Sequence, residues 1–100
     1  LNQAQRLRNR TLPTESLLKL LASRAPNVFN LAEVVGRWVW VQFTAAPGAE
    51  LRRKLAQLGF HWNRTRQAWQ HPCGCFRDRA YAGDPRRFYG SYFPSAVKPL

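Results

Sequence analysis

The sequence predicts a single α+β domain. It consists of an N-terminal helix, a β-α-β-β unit with a small, mainly antiparallel three-stranded sheet, and an irregular aromatic and Arg-rich C-terminal tail. Three observations predict it. Apolar and polar residues alternate from Arg37 to Phe43, the period of a strand. From Glu50 to Leu58 the period lengthens to that of a helix, with Leu51, Leu55 and Leu58 in one stripe. Two short aromatic segments, 60–63 and 67–70, then flank an Arg64-Thr65-Arg66 turn, as in a hairpin. Within this unit the expected limits are a basic arm over 1–12, a folded unit over 13–94 and a tail over 95–100.

Residues 1–10 (LNQAQRLRNR) are polar and basic, with Arg6, Arg8 and Arg10 two apart. That spacing predicts an arm that is solvated, or that orders on a phosphate backbone. Pro13 and Glu15 suit a first helical turn, with Thr11 or Thr14 as cap. Leu17, Leu18, Leu20 and Leu21 supply its apolar face up to Ala25-Pro26. From Asn30 a helical turn is expected to lead into the first strand, with Gly36 at the junction. In that strand Val39, Val41 and Phe43 face the following helix, and Trp38, Trp40 and Gln42 face away. The two indoles are then either core beneath another element or an exposed stacking platform.

Residues 44–48 (TAAPG) form a turn, and Gly59 stops the next helix as a left-handed C-terminal cap. Arg52, Arg53 and Lys54 cannot all point inward, so charge must face solvent along that helix. The tail from Phe76 carries Tyr81, Phe88, Tyr89, Tyr92 and Phe93 among Arg, Pro and Gly, and is expected to wrap back on the sheet.

Composition narrows the partner. Hydrophobic residues make up 45% of the 100, which excludes wholesale disorder. The net charge is +11, and of sixteen cations thirteen are Arg. Arg binds phosphate bidentately and stacks on rings, so a polyanion is the expected partner. An Arg-rich surface from a GC-rich genome is the plain alternative. No apolar run nears the ~20 residues of a membrane span. Two cysteines make no disulfide framework, so the expected compartment is a reducing cytoplasm. The chain opens on Leu1 rather than Met, as a processed chain or a piece of a longer protein would.

Catalytic constellations are sparse. The five acids, Glu15, Glu33, Glu50, Asp78 and Asp84, are scattered, with no pairing that suggests acid–base or two-metal work. His71 and Cys73 would share a strand face, but no oxyanion-hole motif accompanies them. No enzyme activity and no cofactor are expected. His61, His71, Cys73 and Cys75 form the one zinc-type set, with a C-x-C bite tighter than the usual C-x2–4-C. Two hairpin strands would have to bring His61 beside His71.

The expectation that remains is nucleic acid, held by backbone and stacking contacts rather than by a sequence-reading motif. Arg52, Arg53, Arg64, Arg66, Arg86 and Arg87 would hold phosphates, and Trp62 or Trp40 would stack. The Arg77/Arg79 pair repeats the same Arg-beside-aromatic pattern in the tail. The alternative is a protein–protein module whose basic face docks an acidic replication or host-defence partner. Trp38, Trp40, Phe43, Leu51, Leu55, Gly59, Phe60, Trp62, Asn63, Ala68 and Trp69, with the HPCG and DPRRFYG segments, resemble a small module of plasmid, phage and other mobile-element proteins. The helix–Gly–Phe–x–Trp portion is more distantly similar to the HARP module of annealing helicases. That resemblance implies engagement of single-stranded or forked DNA and supplies no catalytic residue.

Overall fold

The structure, a computed structural model, describes residues 1–76 and 85–97. It is α+β, as expected, with a fully antiparallel sheet of five strands in the order β3-β4-β2-β1-β5 rather than three. The strands are β1 (Ala32–Val35), β2 (Trp38–Val41), β3 (His61–Asn63), β4 (Ala68–His71) and β5 (Ser91–Tyr92). The helices are α1 (Gln3–Arg10), α2 (Thr14–Arg24), α3 (Pro26–Phe29), α4 (Ala49–Leu58) and α5 (Pro85–Tyr89). Arg77, Arg79 and Tyr81 lie outside the described residues, as do Asp78 and Asp84.

The predicted β-α-β-β unit is present as β2-α4-β3-β4. The helical turn expected from Asn30 is not: Ala32–Val35 is a strand, paired in full with β2. Its two valines favour the pleated surface, and Gly36-Arg37 is too short to be anything but a hairpin turn. Gly36 sits at φ +61, and the Tyr89 ring lies 3.3 Å from where its Cβ would be. The tail is also more regular than expected. After α5 it adds β5 beside β1, pairing Tyr92 with Val34 and Ser91 with Val35.

Register sorts the side chains. Ala32, Val34, Val39, Val41, Trp69 and His71 share one face, because their positions alternate with those of Glu33, Trp40 and Gln70. That first face meets Leu17 and Leu21 of α2, Val28 of α3 and Leu55 and Leu58 of α4, with Phe60, in one core. The opposite face carries Glu33, Val35, Trp38, Trp40, His61, Asn63, Ala68 and Gln70. Burying a fully sealed Leu such as Leu17 or Leu55 stabilises by about 1.5–3 kcal/mol relative to exposure.

Residues 3–10 are a helix rather than a solvated arm, and α1 packs on α4. Asn2 caps it, its side-chain oxygen accepting from the Gln5 amide at 3.0 Å. Thr11 and Thr14 do not cap α2. Thr11 Oγ1 donates back to the Arg8 carbonyl, Thr14 Oγ1 donates to the Arg37 carbonyl, and Pro13 holds the N-cap position without a side-chain bond.

The reason α1 docks is the unfinished end of α4. Gly59, at φ +105, closes that helix by donating to the Ala56 carbonyl, while the Phe60 amide donates to Leu55. Several carbonyls there still need donors. Arg6 donates to the carbonyls of Ala56 and Phe60, Asn9 Nδ2 to Gln57 at 2.8 Å, and Arg10 to Gly59 at 2.6 Å. Cationic donors also suit the negative end of the helix dipole. Two of the arm's three guanidiniums are thus committed inside the fold.

Candidate nucleic-acid interface

The β3–β4 hairpin is built as expected and is firmly held. Asn63 and Ala68 form its last pair. The Asn63 side-chain oxygen accepts from the Arg66 amide at 2.9 Å, and Gln67 takes a positive φ of 51° to complete the turn. Gln42 Nε2 contacts the Arg66 carbonyl at 3.4 Å, tying the tip to the end of β2. The tip therefore presents Arg64 from an ordered backbone.

Trp62 and Trp69 pair directly across this hairpin, with ring centroids 5.6 Å apart and planes inclined at 54°. Trp69 is partly buried against the core, whereas Trp62, on the edge strand, is 49% exposed. Trp62 is the one exposed indole among the four.

Trp40 has the opposite fate. It is 2% exposed, with the guanidinium carbons of Arg66 and Arg86 over its ring at 5.6 and 5.3 Å. Arg86 also meets the buried Glu33 carboxylate at 3.5 Å, which accepts from Ser91 Oγ at 2.8 Å. A base could stack on Trp40 only by displacing two cation–π contacts, so the stacking role expected of it is not available in this state. Trp38 is likewise partly buried. Its Nε1–H donates to the Cys75 carbonyl at 3.2 Å, and its ring meets His61 edge-on.

The expected phosphate-holding residues fall into two groups. Arg52, Arg53, Arg64 and Arg87 are exposed, and their guanidiniums have no protein partner among the described residues. Arg66 and Arg86 are half-buried and engaged on Trp40. Only Glu15 and Glu50 supply exposed acid among the described residues.

The zinc-type set does not assemble. His61 pairs with Gln70 across the hairpin, so it lies on the opposite sheet face from His71, the residue after Gln70. Both nitrogens of His71 are engaged by backbone. Nδ1 accepts from the Cys73 amide at 3.0 Å, which leaves Nε2–H to donate to the Leu58 carbonyl at 3.1 Å. Burial holds its pKa down to about 4. Burial also pushes the Cys73 thiol up to about 11, far from a thiolate ligand or nucleophile. His61 is lowered by burial first and then by Arg10 and Arg6. Among the described residues no group of three or more His, Cys, Asp or Glu could hold a metal ion.

Two features of this region escape a reading of the sequence. Arg6, Asn9 and Arg10 lie at i, i+3 and i+4, one helical face, and that signal was there to be found. The buried Gln70, whose Oε1 accepts from Asn63 Nδ2 at 3.1 Å, had none. No helix among the described residues is long and apolar enough to cross a membrane. No protein-family model, curated protein or solved structure matches this chain.

Proposed function

We propose that this chain is a non-catalytic nucleic-acid-binding accessory module, cytoplasmic and carried by a mobile element, that engages single-stranded or forked DNA. The observation that carries the reading is the hairpin: an exposed indole, Trp62, beside Arg64 on an anchored tip, in a chain of net charge +11. An exposed ring stacks on any unpaired base. The partnerless guanidiniums of Arg52, Arg53, Arg64 and Arg87 are available to phosphates. Four such contacts to a single strand correspond to a log–log salt slope of about −3. Fluorescence anisotropy with labelled single-stranded, forked and duplex DNA tests this. Micromolar or tighter binding at low salt is expected, favouring the first two. No binding at low salt sinks the reading.

A second reading has its own observation. Phe88, Tyr89, Tyr92 and Phe93 are each about half exposed or more, and they gather around β5, the sheet edge opposite Trp62. An apolar patch apart from the basic hairpin suits a protein partner of acidic character. On that reading the purified chain carries an acidic protein with it and shows no nucleic-acid excess at 260 over 280 nm.

A further inference from the structure

Among the described residues two buried side-chain donors have no acceptor, Gln70 Nε2 and Trp69 Nε1. A buried N–H without a partner costs about 1–3 kcal/mol, and native folds keep few of them. Gln70 lies on the face sealed by Trp40, Arg66 and Arg86. Trp69 lies in the candidate site itself.

The neighbours of Trp69 explain why its indole N–H is unmet. Across β4 its register partners are Trp62 on one side and Val41 on the other. Neither offers an oxygen. The Val41 side is closed core, since Val41 is fully buried. An acceptor can come only from the edge side, where the half-exposed Trp62 is the last residue before solvent. A base stacked against Trp62 would bring its carbonyl edge to that side.

We propose that Trp62 and Trp69 together form a subsite for one unpaired nucleobase, Trp62 stacking on its face and Trp69 Nε1–H donating to a base carbonyl. This rests on the nucleic-acid reading and adds a residue to it. The carrying relation is that the one partnerless indole N–H is paired in register with the one exposed indole. The free protein tolerates the unmet donor because the ligand satisfies it, so stability and binding pull in opposite directions at residue 69.

Trp69→Phe separates the two. It keeps an aromatic ring in the pair and removes only the donor and some ring area. Affinity for an oligothymidine dodecamer is expected to fall about fivefold, the worth of one neutral hydrogen bond. Affinity for an abasic dodecamer with the same phosphates should stay unchanged, and the melting temperature should not drop. As a measurement on the unaltered protein, the Trp69 indole N–H resonance should move downfield with oligothymidine and stay put with the abasic strand. Unchanged oligothymidine affinity in the variant, or an unmoved resonance at saturation, overturns the subsite and leaves the nucleic-acid reading standing. An equal loss on the abasic strand assigns the N–H to phosphate and also overturns it. If the unaltered chain binds neither strand at low salt, the broader reading fails and the subsite with it.

Discussion

A methyl group placed on Gly59 would stand 2.6 Å from Nε2 of His71. That nitrogen is the one that donates to the Leu58 carbonyl, so the glycine is needed twice. Its φ of +105° strains any L-residue, and the space beside it is filled by a ring held from both sides.

Gly59→Ala is therefore expected to be among the most damaging single-methyl changes in the chain. Left-handed strain costs about 1 kcal/mol and overpacking a tight site about 1–3 kcal/mol more. Denaturant melts should show a loss of about 2–4 kcal/mol. Gly48→Ala is the control, because nothing lies within 4 Å of its Cβ position and its φ of −67° suits any residue. Equal stability of the two variants would remove the packing claim.

His71 makes the fold sensitive to acid. Its pKa is held down to about 4 by burial, below the ordinary value of 6.5. Above pH 6.5 it is neutral folded or unfolded and contributes no pH dependence. Between 6.5 and 4 the unfolded chain takes up a proton that the folded chain refuses, so stability falls as pH falls. At about 1.4 kcal/mol per unit, the loss approaches roughly 3 kcal/mol near pH 4. His61 is displaced in the same direction and adds to the trend. Melting temperature should decline from pH 7 to pH 5, and His71→Gln should flatten that decline even if it starts lower. A decline of unchanged slope in the variant would place the titration elsewhere.

The N-terminal helix is expected to stabilise the fold through its cations rather than to search for phosphate. Arg6→Ala and Arg10→Ala each strip donors from the end of α4, and each should cost about 1–2 kcal/mol. Arg8 is exposed, contacting only Gln5 on its own helix, so Arg8→Ala should be within about 0.5 kcal/mol of the parent. Amide exchange at Gly59 and Phe60 should quicken in the first two variants and not in the third. A uniform effect of all three would point to bulk charge instead.

How far the sequence carries depends on whether a residue's partner is near in the chain. Periodicity located α4 and assigned the faces of β2, and Gly59 marked the helix end, because those are local relations. β1 was missed because Ala32–Val35 reads equally as a helical run, and only pairing with β2 decides it. The committed roles of Arg6 and Arg10 depend on carbonyls some fifty positions away. Trp40 shows the same limit. Alternation placed it correctly opposite Val39 and Val41, but nothing local says that Arg66 and Arg86 cover it.

The same division of guanidiniums governs binding. Arg52, Arg53 and Arg64 are exposed and partnerless among the described residues, so neutralising each should weaken DNA binding without changing the melting temperature. Each should also lower the salt slope by about 0.7, the share of one phosphate contact to a single strand. Arg66 and Arg86 are half-buried over Trp40, and Arg86 compensates the buried Glu33 carboxylate. Removing Arg86 leaves that charge without its cation, which destabilises the sheet's second face. Arg66→Ala and Arg86→Ala should therefore lower the melting temperature and raise the exposure of Trp40 to quenchers. Salt titrations of the five single variants, each with its melting curve, place every cation in one class or the other. If Arg52→Ala, Arg53→Ala and Arg64→Ala all leave the salt slope at its parental value, the hairpin and helix surface does not contact the phosphates.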